Sequence, residues 1–377
     1  MKVLITTMHY LDGNSGGAYA SCAFINAIAA VADSTYLMYP SKQGEKLTKI
    51  NPCVTKFPVR YEKSKALKLL DLITGRVHRF FKAFEPKLKE IKPDIVVFDN
   101  SRVSYKLIDI AKKNGCKVIT IHHNYEYEYN RDDSPWYLKN ILLYWTARYE
   151  SDAVKKSDIN LTLTLQDKEA LANKYNNGDA SSFEVLGIFE YTNSTTKITE
   201  PTHNKALTFI ITGDLSAMQT ENSLIPWIDT FYPVLKKIFP NSLLIIAGKK
   251  PSINLEKKCQ AMGIELIPSP QSMQEILNRA DIYICPVSLG GGIKLRIMDG
   301  LKNGLPVLTH AVSARGYEIF EKNKMLFVYS DIQSFEQCLK EHLCHKSSKQ
   351  STIQFYENNC SFNTGINKFS KILNQLF

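Results

Sequence analysis

The chain has 377 residues, of which 44% are apolar and 22% are charged. That composition excludes a disordered or fibrous protein, and the length favours two domains over one. No apolar stretch reaches the roughly 18 residues of a membrane-spanning helix, so a soluble globular protein is expected.

The cysteines and the first residues bear on the compartment. Eight cysteines are scattered without a C-x-x-C pair, and the opening stretch MKVLITTMHYLDG lacks the long apolar region of a secretory signal. Together these features predict a cytoplasmic protein with reduced thiols. A location at the inner face of the cell membrane is also compatible with these features.

The net charge of +10 and the pI of about 9.0 favour an anionic partner. Anionic lipid and a phosphorylated small molecule both fit that charge. Nucleic acid is disfavoured, because the chain contains no zinc-finger, RNP-type or homeodomain-like motif. A basic surface without a specific partner is the remaining alternative.

Short apolar strand candidates alternate with longer helical patterns along the chain. They lie at 2–7, 35–39, 94–99, 117–121, 158–164 and 183–187, and then at 207–213, 242–248, 264–267, 281–286, 306–309 and 325–329. Several are continuous β-branched runs, as expected for strands covered on both faces. The repetition predicts an α/β fold with two doubly wound, Rossmann-like domains facing each other across a cleft.

The polar stretch YTNSTTKITEPTHNK (191–205) interrupts the alternation and is the candidate linker. It predicts an N-terminal domain over 1–195 and a C-terminal domain over 196–352. A helical pattern follows over 353–377. Nothing local decides which domain this last helix packs on, and a return to the N-terminal domain is one of the two options.

Ligands of open parallel sheets bind beyond the carboxyl ends of the strands, so the loops after strands are the candidate sites. In HYLDGNSGGAYAS (9–21), Gly16 and Gly17 precede a helix start whose free N–H groups can face an anion. The loop does not read G-x-G-x-x-G, and no acidic residue ends the next strand, which disfavours a nicotinamide cofactor. A plain tight turn is the alternative.

The loop IHHNYEYEYNRDD (121–133) follows a strand and is polar and aromatic. His122 and His123 are adjacent and point in different directions, so at most one of them reaches the chemistry. Asn124 and Tyr125 are candidate contacts for the acceptor or for a sugar. An ordinary surface loop is the alternative.

Two loops in the second half complete the set. Gly213, in TGDLSAMQTENS (212–223), permits close approach of the backbone to a ligand, although a simple helix cap explains the polar residues there equally well. In LGGGIKLRIMDG (289–300), the amides of Gly290, Gly291 and Gly292 can converge on a phosphate.

The pattern after the three glycines predicts a helix that begins at Ile293, with Ile297 and Leu301 toward the sheet. Lys294 then lies in the first turn, and Arg296 and Asp299 share the other face. Positive charge suits a diphosphate, and the carboxylate suits ribose hydroxyls. The alternative is a surface pair between Arg296 and Asp299.

The segment GGGIKLRIMDGLKNGLPVLT (290–309) resembles the donor-binding segment of retaining glycosyltransferases with the GT-B fold, in the large group 1 family that includes bacterial polysaccharide and phosphatidylinositol mannosyltransferases. Members there share the spaced glycines, two basic residues, an acidic residue and a Gly-x-Pro-Val turn. The better-known form has Glu at the places held here by Gly291 and Asp299. That departure leaves the identity of the sugar open.

The resemblance implies that the chain moves a sugar from a nucleotide-diphosphate sugar to a glycan or lipid-linked acceptor, with retention and without a metal or other cofactor. The implied setting is bacterial surface polysaccharide or glycolipid synthesis. The diphosphate would contact Gly16, Gly17, the amides from Gly290 to Ile293, Lys294 and Arg296; the nucleotide would contact Gly213, Lys249 and Asp299; and His122, with His123 as the alternative, would contact the donor sugar.

Acceptor recognition would fall to the first domain, where residues 60–92 are basic and carry Leu69, Leu70, Ile73, Phe80 and Phe81. Such a segment could rest on an anionic membrane, or it could turn its apolar stripe inward as an ordinary helix. The cluster HLCH (342–345) lacks a second group of metal ligands and is interpreted as chance.

Two other functions stay open. A nucleotide-sugar 2-epimerase uses the same fold and needs several carboxylates at the site. A catalytically idle nucleotide-sugar-binding subunit of a transferase complex would keep the glycine loop without turnover.

Overall fold

The structure, a computed structural model, describes residues 1–13, 15–41, 46–60, 65–193, 206–344 and 348–377. These residues form two compact units. The first comprises Met1–Asn193 together with Cys360–Phe377, and the second comprises Ser194–Asn359. The last 18 residues therefore belong to the first unit. Of the linker that the sequence predicts, residues 194–205 lie outside the described residues.

The elements alternate as the sequence pattern predicts. In chain order they are β1 Lys2–Thr7, α1 Gly16–Val31, β2 Ser34–Ser41, β3 Thr55–Arg60, α2 Lys65–Thr74, α3 His78–Ile91, β4 Ile95–Asp99, α4 Ser101–Ser104, α5 Leu107–Lys113, β5 Lys117–His122, α6 Glu126–Asp133, α7 Lys139–Lys156, β6 Ile159–Thr162, α8 Leu165–Tyr175 and β7 Phe183–Val185. They continue as β8 Thr208–Asp214, α9 Met218–Thr230, α10 Tyr232–Ile238, β9 Leu243–Lys249, α11 Ile253–Met262, β10 Glu265–Pro268, α12 Met273–Leu277, β11 Ile282–Cys285, α13 Arg296–Lys302, β12 Val307–His310, α14 Ala311–Ala314, α15 Glu318–Lys322, β13 Leu326–Tyr329, α16 Ile332–Cys344, α17 Lys349–Cys360 and α18 Phe362–Asn374.

Each unit contains a parallel sheet. Over the described residues, the strand order of the first is β3-β2-β1-β4-β5-β6-β7, and that of the second is β10-β9-β8-β11-β12-β13. In both sheets the first strand of the unit lies beside the fourth, so the direction of winding reverses there. A doubly wound sheet opens its ligand crevice at such a point. The α/β fold with two Rossmann-like domains is confirmed.

Helices cover the faces of the strands, which explains their continuous apolar runs. In β1, for example, Val3, Leu4 and Ile5 are at most 1% exposed. The sequence pattern misses one strand, β3, whose sequence TKFPVR contains a proline. This strand lies at the edge of the sheet and pairs only with β2 among the described residues. An edge strand tolerates proline because one of its N–H rows has no partner.

The basic segment of the first unit divides into two helices with different surroundings. Phe80 of α3 is buried, as an ordinary surface helix requires. The side chains of Leu69, Leu70 and Ile73 on α2 are 58%, 41% and 60% exposed. Residues 61–64, which precede α2, lie outside the described residues. Within the described part of the chain, no helix combines the length and apolar character needed to cross a membrane.

Candidate functional site

The second unit brings two glycine-bearing strand ends together at its switch point. Gly213 lies at the end of β8, and residues 290–292 follow β11, which pairs with β8. The neighbouring Gly248 on β9 is required by close packing, since a Cβ there would lie 1.9 Å from the carbonyl oxygen of Gly213. This edge of the sheet is therefore bare backbone, which leaves room for other groups to approach.

The Arg296 guanidinium occupies that room. A Cβ on Gly213 would lie only 2.8 Å from Cζ of Arg296, so the side chain rests directly against the backbone. Its Nη2 donates to Oγ1 of Thr220 at 3.1 Å. Its Nη1 is buried and has no hydrogen-bond partner among the described residues. A buried guanidinium N–H without an acceptor is costly, and an anion would satisfy it.

The glycine loop adopts a conformation that favours glycine. Gly290 and Gly292 have φ of 81° and 69°, in the left-handed region, and nothing lies within 4 Å of a Cβ built on Gly291. Lys294 folds back over the loop, and its Nζ donates to the carbonyl oxygen of Gly291 at 2.7 Å. The loop thus leaves open space beside Gly291 and holds the ammonium group of Lys294 in place.

The helix after this loop begins later than the sequence pattern predicts. The prediction starts it at Ile293, whereas α13 begins at Arg296 and follows a turn. Two left-handed glycines and the Lys294 contact hold residues 290–294 as a loop. Ile293 is consequently half-buried ahead of the helix, while Ile297 and Leu301 face the core as expected.

Besides Gly213, the other two of the three proposed nucleotide contacts lie on different elements of the second unit. Lys249 ends β9 and its side chain is exposed. Asp299 lies in the first turn of α13 and is also exposed. Burial raises the pKa of Tyr283 on β11, and the charge of the nearby Asp299 raises it further. The Tyr283 hydroxyl bonds to Oγ1 of Thr212 at 2.7 Å and braces β8 beneath Gly213.

The first unit has an equivalent edge, formed by the ends of β1, β4 and β5. Gly16 begins α1 and Ser15 caps it, accepting from the amide of Ala18 at 3.2 Å. Gly17 is in contact with the His9 ring, because a Cβ there would lie 2.5 Å from Cε1 of His9. The glycine pair therefore makes room for an imidazole as well as for the helix start.

His123 forms a buried pair that the sequence reasoning does not identify. Its Nε2 lies 2.5 Å from Oδ1 of Asp99, whose Oδ2 accepts from Ser21 at 2.5 Å. Burial alone lowers the pKa of His123, but the Asp99 carboxylate outweighs it and raises the pKa overall. Burial likewise raises the pKa of Asp99, yet the charge of His123 and the hydrogen bonds lower it to about 2. Both directions favour an imidazolium paired with a carboxylate.

His122 lies in a different environment. Its ring is turned toward β6, where Nε2 lies 3.0 Å from Oδ1 of Asn160. Burial lowers its pKa to about 4, against the effect of that hydrogen bond. A neutral ring held inside the sheet is less suited to contact a ligand than its neighbour. The two histidines do point in different directions, and the geometry favours His123 for a ligand contact.

His9 completes the group. Its ring centroid lies 4.8 Å from that of His123, and its Nε2 is buried without a hydrogen-bond partner among the described residues. Burial, and then the charge of His123, lower its pKa to about 4. The sequence shows that His9 follows β1 and that Asp99 ends β4, but the pairing of β1 with β4 and of β4 with β5, which brings them to His123, is known only from the structure.

His9, Asp99 and His123 are also a possible metal-ligand set, since their donor atoms lie within 4.8 Å of one another. The fit is poor. Two ligands of a tetrahedral zinc ion lie about 3.3 Å apart, whereas Nε2 of His123 and Oδ1 of Asp99 are 2.5 Å apart. That separation is a hydrogen bond with a proton between the atoms. The side chains of His342 and Cys344 and the whole of His345, from the HLCH cluster, lie outside the described residues.

A cavity of about 300 Å³ lies within the first unit beside Glu126, and the candidate acceptor contacts Asn124 and Tyr125 precede Glu126 in the chain without lining the cavity. Nδ2 of Asn124 donates to Glu126 at 3.3 Å, and the amide of Tyr125 donates to Asp167 at 3.0 Å. Polar and aromatic side chains line the cavity, among them His9, Asn100, Arg102, Glu126, Trp145 and Tyr149. Burial raises the pKa of Glu126, which favours its protonated, hydrogen-bond-donating form.

Solved structures share this fold over the whole chain. Sucrose-phosphate synthase from Thermosynechococcus elongatus has a TM-score of 0.73 at 11% identity, covering 100% of this chain and 99% of that one. The lipopolysaccharide outer core galactosyltransferase WaaB has a TM-score of 0.69 at 13% identity, covering 100% of both chains. HepE from Anabaena, in complex with UDP and glucose, has a TM-score of 0.66 at 12% identity, covering 99% of both.

At these identities the likeness establishes the GT-B fold alone, and no curated protein matches the chain in sequence. The family model described as "Glycosyl transferases group 1" matches residues 206–345, which span the glycine loop, Gly213 and Arg296. Residues 206–345 of the second unit are thus similar to the glycosyl transferases group 1 family, and the whole chain has the GT-B fold of these solved structures.

Proposed function

We propose that this chain is a glycosyltransferase that moves a sugar, with retention of configuration and without a metal ion, from a nucleotide-diphosphate sugar to a glycan or lipid-linked acceptor. The observation that carries the proposal is the buried, unpartnered Nη1 of Arg296 against the bare backbone of Gly213. HepE, of the same fold, is solved with UDP and glucose. The galactosyltransferase WaaB suggests surface glycan synthesis as the setting.

The proposed chemistry in the second unit is stabilisation of the leaving diphosphate. As the bond to the sugar breaks, negative charge grows on the phosphate oxygens, and fixed dipoles and cations that contact it lower the barrier. The amides from Gly290 to Ile293, with Lys294 and Arg296, would supply these contacts. Asp299 and Lys249 would hold the nucleoside. In the first unit, the amides of Gly16 and Gly17 remain proposed diphosphate contacts.

His123 is the histidine that we propose contacts the donor sugar, in place of His122. Its pair with Asp99 keeps it protonated and fixes its ring, so it can donate to a sugar hydroxyl. Its protonated state and its partner are also the reason for proposing no metal here. His122 remains as the residue that holds the end of β5 against β6.

The cavity beside Glu126 is the proposed place for the acceptor. Carboxyl, amide and guanidinium groups together with the Trp145 ring suit a sugar unit, which presents hydroxyls and an apolar face. The exposed Leu69, Leu70 and Ile73 on α2 would contact an anionic membrane that carries a lipid-linked acceptor. Sedimentation of the chain with anionic vesicles tests this contact.

The proposed function is tested first by binding. Thermal unfolding with UDP, GDP, ADP and their glucose or mannose conjugates, in EDTA, should reveal one nucleotide that raises the melting temperature, because a ligand of the folded state stabilises it. That sugar nucleotide is then incubated with and without oligosaccharide acceptors, and the anomeric configuration of the product is read by NMR.

Each outcome distinguishes the alternatives. Transfer in EDTA with a retained anomeric centre supports the proposal. A change of the sugar in the absence of an acceptor would identify an epimerase, and binding without turnover would identify an idle subunit. Failure of every nucleotide to bind would reject the diphosphate site itself.

A further inference from the structure

A basic groove of about 870 Å³ lies on the first unit and shares no lining residue with the cavity beside Glu126. Residues of α7 line one side of it, together with Tyr105 and Lys106 between α4 and α5, Tyr127 of α6 and the end of α8. No residue of the glycine loops or of the histidine group lines it. The proposed sites described above therefore do not account for the residues of this groove.

Helical periodicity places the positive charge of α7 on this face. Tyr144, Arg148 and Lys155 line the groove and follow one another at intervals of four and seven residues, which puts them on one stripe of the helix. All three are exposed. An apolar stripe would pack against the unit, whereas this one presents cations and a ring to the groove.

Aromatic rings hold three of the cations in place. The Arg148 guanidinium carbon lies 4.9 Å from the Tyr144 centroid, Nζ of Lys174 lies 4.8 Å from that of Tyr127, and Nζ of Lys106 lies 5.3 Å from that of Tyr105. A cation that packs over an aromatic ring is held in position, and its charge is not neutralised by a carboxylate. These groups are thus fixed in advance for an anionic ligand.

The charge of the groove is largely uncompensated. Five cationic side chains line it, namely Lys106, Arg148, Lys155, Lys156 and Lys174, against the single carboxylate of Asp152. Asp152 pairs with Lys156 at 2.6 Å, and Asp109 pairs with the same lysine at 2.7 Å. In the part of the chain that the structure describes, the other four cations form no ion pair with a carboxylate.

We propose that this groove is a second anion site, which binds a phosphate-bearing group with at least two charges, such as a diphosphate. Phosphate oxygens accept from several N–H donors at once, and Arg148 can bind them in bidentate fashion. Nucleic acid is disfavoured, because the cations already cover faces of three tyrosine rings on which bases would stack. The same phosphate chemistry occurs in lipid headgroups and in soluble phosphorylated ligands.

The test compares two triple variants of the full-length protein. In the first, Arg148→Ala, Lys155→Ala and Lys174→Ala remove three exposed groove cations. In the matched control, Lys113→Ala, Lys257→Ala and Lys322→Ala remove three exposed lysines elsewhere. Calorimetry measures binding of inorganic pyrophosphate, and sedimentation measures binding to phosphatidylglycerol and to phosphatidylcholine vesicles. An Arg296→Ala protein separates the groove from the donor site.

We expect the groove variant to bind phosphatidylglycerol vesicles, pyrophosphate or both at least about tenfold more weakly than the control does, with pyrophosphate binding measured in Arg296→Ala proteins so that the donor site does not contribute. Loss on vesicles identifies a lipid headgroup, and loss on pyrophosphate alone identifies a soluble ligand. Equal binding of both ligands by the groove and control variants would overturn the proposal. If the triple variant melts early, Lys155→Glu, which removes no ring contact, gives the same comparison.

Discussion

Arg296 lies where the backbone of its own unit leaves a space without a side chain. Gly213 and Gly248 together keep the end of β8 bare, and the guanidinium lies against it with one nitrogen bonded to Thr220 and the other buried without a partner. Folding alone does not favour such a donor, because an unsatisfied buried N–H destabilises the chain by about 1–3 kcal/mol. An anionic ligand that accepts from it explains why it is there.

Arg296→Ala should therefore weaken binding of the nucleotide by about 10- to 100-fold, the effect of losing one charged hydrogen bond of about 1.5–3 kcal/mol. Calorimetric titration measures the dissociation constant. Arg279→Ala is the matched control, because that guanidinium pairs with Glu265 at the surface of the same unit at 2.7 Å. Equal affinities of the two variants would remove Arg296 from the site.

Glu150 of α7 is a buried carboxyl group whose protonation affects the first unit. It accepts from the amide of Glu126 at 2.7 Å and from the Tyr175 hydroxyl at 2.8 Å. Burial raises its pKa to about 8, against the effect of the Tyr175 hydrogen bond. The raised pKa means that its contribution to stability is full below about pH 4.5 and is lost as the pH rises through 8.

Glu150→Gln keeps an oxygen for the Glu126 amide and removes the titration. The stability of the wild-type protein should fall relative to the variant between pH 5 and pH 8, by up to about 1.4 kcal/mol per pH unit for one proton. Melting temperatures of both proteins over that range measure the difference. Parallel pH profiles would show that Glu150 is ionised throughout.

At the scale of the elements, the sequence predicts the strands that are buried on both faces. It misses the features that depend on contacts with neighbouring segments. The central strands are apolar on both faces, so their runs are visible without a structure. Strand β3 is not, since an edge strand with Pro58 has few of the usual signals. The start of α13 is misplaced because the left-handed glycines and the Lys294 contact extend the loop, and neither follows from periodicity.

The candidate site shows the same division. The glycine loop can be predicted from the sequence. Three consecutive glycines are needed only where the backbone adopts an unusual conformation or where another group approaches it closely. The approach of Arg296 to Gly213 joins two segments far apart in the chain, and only the pairing of β8 with β11 reveals it. The pair of Asp99 and His123 likewise depends on β4 lying beside β5.

At the scale of the whole molecule, the chain leaves the first unit at Asn193 and returns to it at Cys360. The returning helix α18 packs on α1, which is rich in small residues and so permits close approach. Its fit is tight, because a Cβ on Gly365 would lie 2.2 Å from the Phe189 ring. Phe369 of the same helix is fully buried and meets the rings of Phe24 and Phe189 edge-on.

Phe369→Ala should destabilise the first unit by about 3–5 kcal/mol, the cost of a large cavity in an aromatic core. Hydrogen exchange, read separately on peptides from each unit, should speed up in α1 and remain unchanged in β8 and β9. Phe377→Ala is the control, because that ring is 77% exposed and its removal should change stability by less than about 0.5 kcal/mol. If both variants exchange hydrogen at the wild-type rate, the last 18 residues contribute no stability to the first unit. Nucleotide binding by each variant tests separately whether the second unit depends on these residues.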